Sequence, residues 1–159
     1  MKEQDIVRIF VAYSRLDKRY RKTLEAHLKL LNRQGIVDVW CDRCIGTGAR
    51  WAKEIDERLM ASHVFVLLVS SDFLASDYCC DIEMEFALQR HRDGDGLVMP
   101  VIVRPCDWTA SNLGHLQALP EDGKPVTTWS NRDNAWLSVA KSIRRAAEKL
   151  AGDGLSLPN

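Results

Sequence analysis

The chain has 159 residues, with 22 basic and 22 acidic side chains that give it a formal net charge of zero. That length suits one domain with a single core, and the balanced charge argues against a broad nucleic-acid or membrane-binding surface. The apolar runs are too short to span a bilayer, and five cysteines make a poor disulfide framework. With a charged N-terminus in place of a signal peptide, we expect a cytoplasmic location.

The first half of the chain predicts two strands, each followed by a helix. Residues 6–12 are apolar and predict the first strand, which ends in a polar Tyr-Ser-Arg exit. Apolar residues at helical spacing follow in a Lys/Arg-rich segment and predict an amphipathic helix: Tyr20, Leu24, Leu28 and Leu31. We expect Gly35 to end this helix. Residues 36–40 predict a second strand, and Trp51, Ile55 and Leu59 predict the next helix.

The stretch from residue 64 to residue 90 is the most informative part of the sequence. Residues 64–69 are six apolar residues in a row, typical of a strand buried on both faces. A polar loop is predicted next, and Ser76 is a suitable N-cap for a helix over residues 76–91. Glu83 then lies about two turns into this helix. Ligands of open α/β sheets bind where strands end and helices begin, so Glu83 falls near the expected ligand edge.

The last third predicts two more strands and a final helix. Residues 97–103 form the fourth strand, although Pro100 removes one hydrogen-bond donor from it. Residues 126–129 form a short fifth strand at the sheet edge, and one helical turn is expected at 113–116. Apolar residues at helical spacing line the final helix: Trp136, Val139, Ala140, Ile143 and Ala147. Strands alternating with helices in this way predict a parallel sheet with helices on both faces.

Two features have side chains suited to chemistry. Glu83 has mostly apolar neighbours on its helix face, which predicts a partly desolvated carboxylate; the alternative is an ordinary surface acid beside Asp81 and Glu85. The loop after the second strand has two glycines that permit close backbone approach to a ligand. Charged and aromatic residues stand beside those glycines: Asp42, Arg43, Arg50 and Trp51. The alternative is an ordinary connecting loop with the tryptophan in the core.

The cysteine and histidine patterns do not predict a metal or redox site. Cys41 and Cys44 form a C-x-x-C motif without a second such pair or a nearby pair of histidines, so zinc is not favoured. A redox pair would be expected at the start of a helix. The four histidines are scattered, and no nucleophile–base pair can be read from them. We therefore expect no metal site.

Four segments in the right order resemble a bacterial Toll/interleukin-1 receptor (TIR) domain. They are Phe10-Val11-Ala12-Tyr13-Ser14; Trp40-Cys41-Asp42-Arg43 with Ile45-Gly46-Thr47-Gly48 and Trp51; Ser70 to Cys79 with Glu83; and Pro100 to Trp108 with Leu116 to Pro120 and Lys124 to Val126. The second segment resembles the family's BB loop and the third its αC helix. A phospho-acceptor receiver on the same fold is set aside, because acidic residues are missing where the first and third strands end.

The resemblance implies a flavodoxin-like three-layer fold, with a five-stranded sheet of order 2-1-3-4-5 over residues 5–150. The polar residues 151–159, with Gly and Pro, predict a flexible tail or linker. The resemblance also implies one of two activities. The first is NAD+ cleavage between nicotinamide and ribose, as a glycohydrolase or cyclase in bacterial defence or signalling. The second is an adaptor role without catalysis. Self-association through the BB loop and the αC surface is expected in both, with further domains or subunits of a larger protein as other partners.

For the enzyme, the resemblance implies that Glu83 is the catalytic acid and that NAD+ is a substrate, with no other cofactor. The residues expected to bind NAD+ are Tyr13, Ser14, Arg15, Asp42, Arg43, Gly48, Arg50, Trp51, Tyr78 and Cys79. Two of these positions depart from the family pattern. Several relatives that cleave NAD+ have Trp where this chain has Cys79, and the basic pair after the first segment is here Ser14-Arg15.

Overall fold

The structure is a computed structural model, and it describes residues 6–41, 57–76 and 83–153. Four strands form one parallel sheet within these ranges: β1 (Val7–Tyr13), β2 (Val37–Cys41), β3 (Val64–Val69) and β4 (Leu97–Ile102). Their order is β2-β1-β3-β4. The parallel sheet and the predicted order are confirmed for these strands, with β1 and β3 in the centre.

Four helices accompany the sheet: α1 (Lys18–Arg33), α2 (Ser71–Ala75), α3 (Glu85–Arg92) and α4 (Arg132–Gly152). Residues 57–61 are also helical. The apolar positions that predicted α1 and α4 are buried. Gly35 follows α1 with a φ of 73°, a conformation that glycine adopts at little steric cost, which is why the helix ends there.

The two faces of the sheet bury two cores, because alternate residues of a strand point to opposite faces. On one face, Val7, Ile9 and Val11 of β1 pack with apolar residues of α1 and α4. On the other face, Phe10 and Ala12 pack with residues of β3, α2 and α3. The residues of β3 are buried on both faces, as the uninterrupted apolar run predicted.

The predicted fifth strand is wrong. Val126–Thr128 forms a turn of 3-10 helix. In place of a fifth strand, two short segments form backbone hydrogen bonds with β4 and the residue that follows it. Leu119 exchanges backbone hydrogen bonds with Pro100 and Ile102 at 2.8 Å each, and the Thr127 amide donates to Val103 at 3.1 Å. Pro120 and Pro125 interrupt this region, and a proline cannot donate to a ladder. A continuous fifth strand therefore does not form.

Two further predictions, for the segment after β3 and for residues 113–116, need correction. A third, for the helix over residues 76–91, lies partly outside the described residues. The segment after β3 was expected to be a loop, but Ser70 caps a short helix there, because its side chain accepts from the Phe73 amide. Residues 113–116 form turns and no helix, and α4 extends to Gly152, into the expected tail. The start of the predicted helix over 76–91 lies outside the described residues, and its second half is α3.

Candidate active site

The carboxyl ends of the four strands lie on one edge of the sheet, because the strands are parallel. Tyr13 and Ser14 leave β1 at this edge, Ser70 leaves β3, and Val103 and Arg104 leave β4. The Val103 amide donates to the Val69 carbonyl at 2.9 Å, which aligns the last two exits. The sheet edge where ligands of this fold class bind therefore has polar and charged side chains.

Glu83 is buried, with 1% of its surface exposed. It lies with Met84 in a π-helical turn directly before α3, a rare arrangement that occurs often at functional sites. Met84 packs into the core on the α2/α3 face of the sheet. The partial desolvation predicted from the apolar helix face is confirmed and is more complete than expected. Asp81, one of the two acidic neighbours of Glu83, lies outside the described residues. Glu85, the other, is exposed and accepts a hydrogen bond from Asn112 Nδ2 at 3.1 Å.

The structure places three of the predicted binding residues, and they differ in accessibility. The Tyr13 side chain is fully buried in the core on the α1/α4 face, with the Arg21 guanidinium 5.4 Å from its ring centre. Ser14 is nearly buried, and its side chain accepts from the Leu16 amide at 3.3 Å. Arg15 is exposed. Among these three residues, Arg15 is therefore the side chain most accessible to a ligand.

The other predicted binding residues lie outside the described residues: Asp42, Arg43, Gly48, Arg50, Trp51, Tyr78 and Cys79. Cys41 ends β2 and is disulfide-bonded. Cys106 is a free cysteine, and partial burial raises the pKa of its thiol. A raised pKa lowers the thiolate fraction at neutral pH, so Cys106 lacks the activation of a catalytic nucleophile.

Sequence reasoning missed a buried ionic network at the same edge. Asp17 follows β1 and is fully buried, and its carboxylate accepts from the Ser70 hydroxyl. Arg104 donates to Asp17 Oδ1 through Nε at 3.2 Å and through Nη2 at 2.9 Å. Arg104 also pairs with Asp72. Each residue stands just past the end of an apolar strand, which was the available signal, but only the fold shows that the strand ends meet.

The hydrogen bond from Arg104 to Asp72 is the largest influence on its guanidinium and raises its pKa above the ordinary value. Partial burial opposes this effect, and the bond to Asp17 adds to it. Arg104 therefore stays charged at neutral pH. The network as a whole has two carboxylates and one guanidinium.

Comparisons with known proteins identify the family. The model of the TIR domain family matches residues 9–146. The chain belongs to the TIR domain family. A relative in Sinorhizobium fredii (strain NBRC 101917 / NGR234), the uncharacterized protein y4lF, is 46% identical over 142 residues. That match covers 89% of this chain, which spans 44% of the length of the relative.

A solved structure supports the fold of this TIR domain. The chain resembles the TIR domain of the Toll-related receptor TRR-2 from Hydra magnipapillata with a TM-score of 0.61 and 20% sequence identity. The match covers 86% of this chain and 97% of the Hydra domain. At this identity the likeness shows the flavodoxin-like TIR fold alone. Among the described helices, none is long and apolar enough to cross a bilayer.

Proposed function

We propose that this TIR domain cleaves NAD+ between nicotinamide and ribose, with the carboxylate of Glu83 as the catalytic group. The observation that carries the proposal is the burial of Glu83, which is 1% exposed in the turn directly before α3. Removing a carboxylate from water is unfavourable, and buried carboxylates occur often at sites where their charge takes part in function. A domain that acts only as an adaptor has no need of an acid there.

One carboxylate is sufficient for this reaction. Nicotinamide is a cationic leaving group in NAD+, so it departs with the electron pair of the N-glycosidic bond and needs no general acid. The ribosyl centre becomes oxocarbenium-like as that bond breaks. A negative charge held beside the ribose stabilises this growing positive charge, and it accepts hydrogen bonds from the ribose hydroxyls. Water then bonds to the ribosyl carbon and loses a proton, or a second nucleophile in the same molecule closes a ring.

The test uses concentrated or artificially assembled protein incubated with NAD+, with nicotinamide measured by chromatography. Glu83→Gln keeps the size of the side chain and removes its charge. We expect nicotinamide release to fall by a factor on the order of 10²–10³, which is typical when a preorganised electrostatic contact is lost. Glu83→Ala should lose as much. The melting temperature of each variant shows whether the fold survives.

Glu85→Gln is the matched control, because Glu85 is exposed and bonds to Asn112. Asp81→Asn is a second control, since it removes one negative charge close to Glu83 in the sequence. Both should retain most of the activity. If assembled wild-type protein releases no nicotinamide, or if Glu83→Gln keeps most of the activity, the enzymatic proposal fails and the adaptor role takes its place. We place the activity in bacterial defence or signalling in the cytoplasm as part of the same proposal.

A further inference from the structure

The carboxylate of Asp17 connects three strand ends. Asp17 ends the 3-10 turn that follows β1, and its side chain is fully buried. One carboxylate oxygen accepts from the hydroxyl of Ser70, the residue that follows β3. The other accepts from Arg104, two residues after β4, at 2.9 and 3.2 Å. The exits of β1, β3 and β4 are therefore held together by side chains as well as by the sheet.

Ser70 connects Asp17 to the first turn of α2. Its hydroxyl donates to Asp17, and its oxygen accepts from the Phe73 amide at 3.1 Å. Because the hydroxyl proton points to Asp17, a lone pair is left for the first turn of α2, and Asp17 thereby fixes the capping rotamer of Ser70. The Leu74 amide also donates to the Ser70 carbonyl at 3.0 Å. The start of α2 is thus oriented from β1.

Arg104 also contacts α2, through Asp72. Its guanidinium pairs with Asp17 and also with Asp72, a residue in the first turn of α2. A guanidinium has five donors in a planar fork and can bind two carboxylates at once, whereas a lysine ammonium is a compact point charge on a flexible stem. Arginine is therefore specifically suited to this position. With 28% of its side chain exposed, Arg104 can be replaced without leaving a large cavity.

Arg104 and Asp72 are partly exposed, so these ion pairs contribute little net stability, because solvent screening and the desolvation of Asp17 offset the attraction. Their role is to fix the relative positions of the segments that they join. We propose that Asp17 and Arg104 are positioning residues that fix the β1 exit, with Ser14 and Arg15, relative to α2, the helix that precedes Glu83 in the chain. The geometric part stands on the contacts alone, and its effect on the reaction rests on the proposed NAD+ cleavage.

The geometric part is tested by amide hydrogen exchange, without any assay of activity. In Arg104→Gln the fork is lost, so the Phe73 and Leu74 amides should exchange at least about tenfold faster than in wild type, through local opening of α2. The amides of Ile9 and Val11 in β1 should be unchanged. Exchange of Phe73 and Leu74 at the wild-type rate would overturn the inference whether or not the domain is an enzyme.

The catalytic part is tested by steady-state kinetics of nicotinamide release. Arg104→Lys keeps the charge and loses the double contact, so we expect kcat to fall about 10- to 100-fold with KM within about twofold, because a small misplacement of a catalytic group has effects of this size. Asp17→Asn should act in the same direction, since it keeps an acceptor for Ser70 but loses the charge facing Arg104. A purely structural role would instead lower the amount of folded protein and leave kcat per folded molecule unchanged.

Arg144→Lys is the matched control, because Arg144 is a partly exposed arginine of α4 that donates to Gln34 at 2.9 Å, beyond the end of α1. Its kcat and KM should equal those of wild type. An Arg104→Lys variant with wild-type kcat would overturn the positioning role in catalysis. If the wild-type domain proves inactive with NAD+, the proposed function fails, and the exchange measurement still decides the geometric part.

Discussion

At the scale of single residues, Arg90 shows how one buried cation organises backbone. Its side chain lies in α3 and is 8% exposed. Its two terminal nitrogens donate to the carbonyls of Leu59, Met60, Ser62 and Asp95 at 2.7 to 3.2 Å. Its guanidinium also lies 5.3 Å from the ring centre of Phe65. Desolvation lowers the pKa of Arg90, and the nearby Asp95 partly offsets this effect.

Two of those carbonyls, at Leu59 and Met60, belong to helical segment 57–61, which would otherwise end with unsatisfied acceptors. Arg90→Ala should therefore destabilise the fold by about 2–4 kcal/mol, because several buried carbonyls lose their donor. The free energy of unfolding in urea measures this. Arg92→Ala is the control: Arg92 is exposed and bonds only to Gln89 among the contacts described, so its loss should stay within about 0.5 kcal/mol. Equal effects of the two substitutions would contradict the capping role.

How much of the site could be predicted at this scale depends on the range of the interaction. The burial of Glu83 followed from apolar neighbours at helical spacing, which are local information. The contacts of Asp17 with Ser70 and Arg104 join residues 53 and 87 positions apart. No local pattern marks such pairs, because they meet only after the strands have paired. Arg90 was missed for the same reason, since its partners are backbone carbonyls that every residue has.

At the scale of elements, β4 is an edge strand over its first half. Separate contacts satisfy backbone N–H and C=O groups that point away from the sheet. Pro100 has no N–H, and its carbonyl accepts from Leu119 at 2.8 Å. The Val98 amide donates to His91 Nδ1 at 3.1 Å. An edge without free donors offers little to an added strand, which protects the sheet from pairing with other chains. The proline that weakened the prediction of β4 is therefore suited to this edge.

His91→Ala should expose the Val98 amide and destabilise the domain by about 1 kcal/mol, the usual net value of one hydrogen bond. The change should appear in the midpoint of urea unfolding, with aggregation at high concentration as a second readout. His91 and His115 both line a cavity of about 520 Å³ beside β4. His115→Ala is the matched control, because His115 makes no hydrogen bond to the strand among the contacts described. If His115→Ala proves as destabilising as His91→Ala, the edge-protection argument is wrong.

The elements themselves were predicted where one physical signal dominated. The strands β1 and β3 are continuous apolar runs, and α1 and α4 have apolar residues at helical spacing. The short helix α2 was missed, because its first turn depends on a cap at Ser70 that Asp17 and Arg104 hold in place. The expected fifth strand failed because prolines flank residues too few to form a ladder. Both errors occur where tertiary contacts, and not local propensity, decide the backbone.

At the scale of the whole molecule, the sheet joins both cores, since β1 and β3 contribute residues to each of them. The carboxyl ends of its parallel strands lie on one edge of the sheet, where the candidate site is. The resemblance to the family implies that a neighbouring protomer completes the site there with its BB loop. If assembly completes the site in this way, one protomer alone is insufficient for NAD+ cleavage. A variant that lacks the Glu83 carboxylate tests this dependence on assembly.

If a second protomer completes the site, Glu83→Gln protein should stimulate dilute wild-type protein. The variant lacks the catalytic charge but keeps the surface that a neighbour contributes. At a wild-type concentration too low for self-association, we expect nicotinamide release per wild-type molecule to rise severalfold as the variant is added in excess, by mass action. The same mass of albumin is the control for crowding. Wild-type protein alone should show a rate per molecule that increases with its concentration. A rate per molecule that is constant with concentration, and unaffected by the variant, would mean that each protomer holds a complete site.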